Sequence, residues 1–138
     1  MRRLLGTAAL VVVLAACGPA TSPEEAEANQ GLLDEVAEQV AAEDGVTDVV
    51  ARYVDDAENQ ARAALTVECR RCDVPALLDS TVRAVWASEV TPLYGISVRV
   101  SDLERVESDY VSLSVRTDEA ELGEKYGERP VPSLPEDE

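Results

Sequence analysis

Cys69 and Cys72, separated by two residues, are the side chains in this chain whose type and spacing point most directly to chemistry. A thiol pair at this spacing can form a disulfide, exchange disulfides with another protein, or supply two of the four ligands that a zinc ion takes. The two arginines between the cysteines would lower a thiol pKa, and the acidic residue on either side would raise it. A structural disulfide, a redox pair, a metal site and free thiols are all open on this evidence.

The pair follows a strand pattern and precedes a helix pattern, an order that resembles the thioredoxin redox motif, in which a helix N-terminus stabilises the first thiolate. The surrounding residues depart from that family because no Trp-Cys-Gly-Pro-Cys segment is present. Cys69 is also in phase with the inward positions of the preceding strand. We therefore predict a structural disulfide between Cys69 and Cys72, worth about 2 kcal/mol on the chain-entropy model, with thiol-disulfide exchange as the alternative.

Other catalytic chemistry is poorly supported. The chain has no histidine, which excludes Ser-His-Asp and Cys-His catalysis and histidine-ligated metals. Carboxylate pairs such as Asp102 with Glu104 are expected at exposed hairpin tips, where no hydrophobic pocket would raise the pKa of a general acid. No glycine-rich phosphate loop or EF-hand spacing occurs. We predict no catalytic residue, cofactor or metal ligand, and leave calcium at an acidic hairpin loop open.

The amino terminus has the pattern of an export signal. Arg2 and Arg3 precede an uncharged run, Leu4 to Ala16, that is too short to span a bilayer as a helix, which takes about 20 residues. Leu14-Ala15-Ala16-Cys17 then resembles the lipobox of bacterial lipoproteins. In that family the cysteine thiol receives a diacylglyceryl group and the peptide before it is removed. The resemblance implies a signal peptide at 1–16, a lipid on Cys17, and a location on the extracytoplasmic face of the cell membrane.

The composition is strongly acidic. Lys plus Arg is 12 and Asp plus Glu is 28, which gives a formal net charge of −16. Nucleic-acid binding is excluded because its affinity comes from cationic side chains that displace counterions from phosphates. The acidity indicates either a solubilising surface or attraction of a basic partner or divalent cations. Eleven of the twelve basic residues are Arg, a bias that resembles proteins from GC-rich, actinobacteria-like genomes.

The apolar periodicity predicts one α+β domain at 31–126, between a tether at 17–30 that is partly helical and a disordered tail at 127–138. Helical stripes occur at 32–43 and 74–90, and a short third helix follows 117. Ser22 and the residues after it read as a capping box, so the first helix can begin there and run through Gly31. Strand patterns occur at 46–54, 61–69, 94–102 and 110–117.

This order, αββαββ, predicts a two-layer sandwich with two helices on one face of a four-stranded antiparallel sheet. Alternation places Ala63, Leu65 and Val67 inward on the second strand. The two acidic hairpin tips are expected at opposite ends of the sheet. A duplication of an αββ unit is consistent with the pattern, and Trp86 and the four tyrosines are expected to fill the core because phenylalanine is absent.

From these features we expect a lipid-anchored, non-catalytic binding or scaffolding domain of the bacterial cell envelope. Its expected contacts are the membrane, through the lipid on Cys17, and an envelope protein partner. The alternative is a membrane-tethered thiol-disulfide redox protein that uses Cys69 and Cys72.

Overall fold

The computed structural model describes residues 21–56, 58 and 60–135. They form three helices and four strands in the order α1 (Pro23–Ala41), β1 (Val46–Val54), β2 (Arg62–Cys69), α2 (Val74–Trp86), β3 (Gly95–Asp102), β4 (Glu107–Ser114) and α3 (Val115–Tyr126). The α+β class is confirmed. The predicted order, in which a helix precedes each of two pairs of strands, is confirmed as well. Among the described helices, none is long and apolar enough to cross a membrane.

Helix α1 begins inside the segment that we interpreted as a tether. Ser22 is the N-cap, its hydroxyl accepts a hydrogen bond from the Glu25 N–H at 3.2 Å, and Pro23 occupies the first helical position. The helix continues through Gly31, whose position is open to solvent. Residues 23–30 are therefore part of the packed domain, because their helix carries a side chain, Asn29, that is only 4% exposed.

The sheet is mixed, so the prediction of a purely antiparallel sheet was wrong. The strand order is β1-β2-β3-β4, with β1–β2 and β3–β4 antiparallel and β2–β3 parallel. The reason is the crossover, since α2 carries the chain back along the sheet and β3 starts beside the start of β2. The same topology puts the β1–β2 and β3–β4 connections at opposite ends, as expected.

The core lies between the three helices and one face of the sheet, which we call the inner face. Alternate residues of β2 and β3 supply the sheet side, and the apolar stripes of α1 and α2 supply the other. The fully buried side chains include Leu33, Val85, Leu93, Ile96, Val98 and Val100. The inward phase of β2 at Ala63, Leu65 and Val67 is confirmed.

Helix α1 holds two other elements through side-chain amides. The buried amide of Asn29 donates to the carbonyl of Thr91 at 3.0 Å and accepts from the Thr91 N–H at 3.2 Å. Gln30 accepts from the Tyr53 N–H and donates to the Ala51 carbonyl, both backbone groups of the edge strand β1. The two Gln30 bonds occupy backbone hydrogen-bonding groups of β1 that would otherwise be free to pair with another chain.

The segment after α3 packs against the end of α2, which the interpretation of 127–138 as a disordered tail missed. The Arg129 guanidinium donates to the carbonyls of Trp86, Ser88 and Val90 at 2.8, 2.6 and 2.7 Å. Ser133 is 2% exposed, and its carbonyl accepts from the Leu93 N–H. Burial lowers the pKa of Arg129 to about 10. Contacts made by single polar residues do not produce a periodic pattern of apolar residues, so the sequence pattern did not reveal them.

Candidate functional site

The two cysteines at 69 and 72 are joined in a disulfide. Cys69 ends β2 and is 0% exposed, and Cys72 precedes the N-cap of α2 and is 7% exposed. The loop between them turns through Arg71, which has a φ of 51°. Gly45, at φ 83°, packs beneath the loop, because a Cβ there would lie 2.7 Å from the Arg70 carbonyl oxygen. Both sulfurs are therefore covered by the fold.

Asp102, at the end of β3, is the group around which this corner is built, and it is 1% exposed. One carboxylate oxygen accepts from the N–H groups of Arg71, Glu104 and Arg105 at 3.3, 3.0 and 3.1 Å, and the other accepts from the Cys72 N–H at 3.2 Å. The expectation that Asp102 is an exposed tip carboxylate was wrong. Its burial is stable because every charge-bearing oxygen has donors.

The electrostatics of Asp102 follow from these contacts. Burial alone would raise the pKa of the carboxyl, but the N–H donors of Arg105, Glu104, Arg71 and Cys72 stabilise the carboxylate and bring the pKa below its usual value. A folded-state pKa below the unfolded value means that the ionised group stabilises the fold above about pH 4. That contribution is lost as the pH falls through the lowered pKa.

The ligand atoms of Cys69, Cys72 and Asp102 lie within 4.8 Å of one another, a spacing that a metal ion could use. The donor set does not fit one, however, since the two sulfurs are bonded to each other and both carboxylate oxygens already accept backbone N–H groups. The arrangement holds three chain segments together. It offers no open position for a substrate or an ion.

The opposite face of the sheet, which we call the outer face, carries a different set of residues. Pairing between strands aligns its side chains in rows, and the three rows nearest the β1–β2 connection are Val54-Arg62-Gly95-Ser114, Arg52-Ala64-Ser97-Ser112 and Val50-Thr66-Arg99-Tyr110. These rows contain three arginines and no carboxylate, whereas the fourth row of the same face, Asp48-Glu68-Ser101-Ser108, carries two carboxylates at the other end of the sheet. Val50 and Tyr110 are 47% and 52% exposed, so this face is open.

A polar groove of about 580 Å³ lies at the end of the outer face, between the β1–β2 connection and the start of α3. Arg62, Gly95 and Ser112 form part of its floor, and Glu58 and Tyr94 also line it. In the part of the chain that the structure describes, Arg62 and Arg99 form no ion pair.

Tyr110 lies beside this groove, in the neighbouring rows. The Arg99 guanidinium lies 5.3 Å from the centre of the Tyr110 ring. The nearby hydroxyls of Ser112 and Ser97 and the charges of Arg62 and Arg99 lower the pKa of the Tyr110 hydroxyl. Among the described residues, the Ser97 hydroxyl is buried without a hydrogen-bond partner.

The other residues that the sequence singled out lie outside both the disulfide corner and the groove. Trp86 is buried in the core as expected, whereas Tyr110 is exposed and does not contribute to it. Cys17 lies outside the described residues. Sequence reasoning missed Asp102 and the outer face. The signal for the latter was present, because Arg62 and Arg99 occupy the polar phase of their strands.

Comparison with known proteins found no matching family model, no similar curated protein and no similar solved structure. The function must therefore be inferred from the geometry of this chain.

Replacing Asp102 by Asn should expose the pH dependence of the buried carboxylate. The amide nitrogen cannot accept a hydrogen bond, so at least one N–H donor loses its partner and the Tm at pH 7 should fall. The Tm difference from the wild type should then shrink as the pH falls below about 4, because the wild-type carboxyl also becomes neutral. Circular dichroism melts from pH 7 to 2 test this. The exposed Asp48→Asn serves as control, and a constant difference would contradict the assignment.

Removing the disulfide with Cys69→Ala and Cys72→Ala together should lower the free energy of unfolding by about 2 kcal/mol, measured by urea denaturation, since the bond closes a short loop. Because the sulfurs are buried, the wild-type protein should reduce insulin no faster than this variant. A wild-type rate that clearly exceeds the variant's would show that the pair exchanges disulfides.

Proposed function

We propose that the chain is a lipid-anchored, non-catalytic binding domain of the bacterial cell envelope, and that the outer face of its sheet contacts an anionic surface of a partner protein. One observation carries the choice of surface. A chain with a net charge of −16 has three arginines and no carboxylate among twelve neighbouring positions of an open sheet face. Complementary charge at such a face increases the rate and specificity of association.

The anchor is supported by the lipobox resemblance at Leu14-Ala15-Ala16-Cys17. Thr21 is 4% exposed, and its N–H and hydroxyl both donate to the carboxylate of Asp55, directly after β1. Only four residue steps separate Cys17 from Thr21, a reach of roughly 14 Å when fully extended. A lipid on Cys17 would hold the β1–β2 end of the sheet close to the membrane.

The alternative function, thiol-disulfide exchange, has one observation in its favour: Cys72 precedes the N-terminus of α2, where a helix stabilises a thiolate. The burial of both sulfurs and the use of the Cys72 N–H by Asp102 weigh against it. An exchanging pair needs one sulfur that a partner can reach. We therefore assign the disulfide a structural role.

The variant Cys17→Ser tests the anchor. Without the thiol no acyl chain can be attached, so we expect the variant to incorporate no labelled fatty acid and to accumulate as the unprocessed precursor. Metabolic labelling with a fatty acid, followed by immunoprecipitation, measures this, and Cys72→Ser serves as the matched control, because its sulfur lies in the disulfide of the folded domain. Equal labelling of both variants would contradict lipid anchoring.

Site-specific photo-crosslinking tests the surface. A photoreactive residue in place of the exposed Thr66, at the centre of the outer face, should crosslink a partner in isolated membranes. The yield should fall when salt is raised to 1 M, where the Debye length is about 3 Å, and in the double variant Arg52→Gln with Arg99→Gln. The same probe at Glu35, on the exposed side of α1, is the control. Equal crosslinking from both positions would count against the outer face.

A further inference from the structure

Strand β4 forms an open edge of the sheet. The Val115 N–H, one residue beyond β4, donates to the Tyr94 carbonyl on the β3 side. Because backbone groups alternate along an antiparallel pair, the N–H and C=O of Leu113 point to β3 and those of Ser112 point away from the sheet. At the other edge, β1, such groups are occupied by Gln30. No described residue does the same for Ser112, so a further strand can add to β4.

An apolar groove of about 270 Å³ lies along this edge strand on the inner face, between α2 and α3, and we call it the α2–α3 groove. It is lined by Leu78 and Val82 of α2, by Leu122 of α3, and by Val111 and Leu113 in the inner phase of β4. Leu78 and the two β4 residues are only partly buried, so apolar surface is open in the groove. Its volume is below the roughly 300–1,000 Å³ of small-molecule sites and suits single apolar side chains of a larger partner.

The charges that line the α2–α3 groove are mainly negative. Asp79 is neutralised within the fold, because Lys125 lies 2.9 Å from one of its carboxylate oxygens and Arg83 lies 3.6 Å from the other. Three further carboxylates line the groove, and within the described chain they form no ion pair: Asp109, Asp118 and Glu121. With both cations counted, the groove keeps an excess of carboxylates and favours a basic ligand.

Two of these carboxylates mark the ends of the edge. Asp109 accepts a hydrogen bond from the outward N–H of Tyr110 at 2.8 Å, and Asp118 accepts from that of Ser114 at 3.0 Å. Between them the N–H and C=O of Ser112 and the C=O of Tyr110 are left for an added strand. Such a strand would place every second side chain against the inner phase of β4. The matching sequence has basic, apolar, apolar and basic residues at four alternate positions.

We propose that the edge of β4 and the α2–α3 groove bind an extended segment of a partner protein by strand addition. The apolar side chains of that segment enter the groove, and a Lys or Arg on either side contacts Asp109 and Asp118. A second copy of this chain fits less well, because two paired β4 edges would bring the carboxylates of both copies to one seam. The site does not depend on the anchor at Cys17 or on the arginines of the outer face.

The test titrates the full-length protein, purified in a maltoside detergent and labelled with ¹⁵N, with the blocked peptide Lys-Thr-Leu-Thr-Val-Thr-Lys. Binding should shift the amide resonances of β4 and α3 in a saturable way and slow hydrogen exchange at the Ser112 amide at least about tenfold. The peptide Lys-Leu-Thr-Thr-Thr-Val-Lys has the same composition, but its apolar residues lie in the opposite phase from its lysines. It should bind at least about fivefold more weakly.

Variants of the protein probe the charge and the edge separately. Asp109→Asn with Glu121→Gln should weaken binding of the first peptide at least about fivefold. Glu35→Gln with Asp48→Asn removes the same charge from exposed positions of α1 and β1 and should change binding less than about twofold. Ser112→Pro should abolish binding, because it removes an outward N–H and no bond to β3. If this variant does not fold, the charge variants and the exchange measurement decide the question.

The outcomes separate the possible occupants. Shifts confined to α2 and α3 without protection of the Ser112 amide would overturn strand addition. Protection of that amide that rises with protein concentration in the absence of peptide would identify a second copy as the occupant and overturn the basic partner. Equal binding of the two peptides, equal weakening by the two charge variants, or no saturable shift would overturn the site.

Discussion

The Asp102 carboxylate is the interaction on which this end of the fold depends. Cys69 and Asp102 are register partners at the carboxyl ends of the parallel strands β2 and β3, so two segments of the chain leave the sheet at the same place in different directions. The segment after β2 turns into α2, and the segment after β3 turns into the β3–β4 connection. Four backbone N–H groups of these two turns converge on one carboxylate, which satisfies donors that the abrupt exits would otherwise leave buried and unpaired. The disulfide reinforces a corner that the carboxylate organises.

The same carboxylate helps to fix the register of the sheet. Asp102 occupies the inward phase of β3, in line with Ile96, Val98 and Val100. A slip of one residue would turn Arg99 into the core and the three apolar side chains to solvent. In the correct register the buried Asp102 carboxylate meets four backbone N–H donors. Asp102 and the three apolar residues therefore favour the same alignment of β3. The arrangement of arginines on the outer face follows from that alignment.

Local patterns made the helices, the strands and the inward phase of β2 and β3 predictable, since periodicity reports which face of an element is buried. The direction of strand pairing was harder to predict from the sequence. Both αββ units predict hairpins, but the crossover through α2 decides that β2 and β3 run parallel. The direction of a crossover leaves no periodic pattern in the sequence. Asp102 was missed because an acidic residue at a strand end is normally a solvated turn residue, and its partners are backbone groups that carry no side-chain signal. Arg129 escaped for the same reason, as it donates to three carbonyls in a segment rich in proline.

Net charge is a poor guide to what a local surface can bind. A value of −16 implies repulsion from an anionic membrane, yet electrostatic screening at physiological ionic strength limits the reach of exposed charges to about 8 Å. A domain of about 100 residues has a radius of gyration of about 13 Å, so most of its carboxylates lie beyond that distance from whichever end approaches the surface. The local composition of the approaching end then decides the sign of the interaction. In this chain the three rows of the outer face nearest the β1–β2 connection contain Arg52, Arg62 and Arg99 and no carboxylate, although the chain as a whole is acidic. An acidic chain can therefore carry a cationic patch on one face of its sheet while its net charge stays strongly negative.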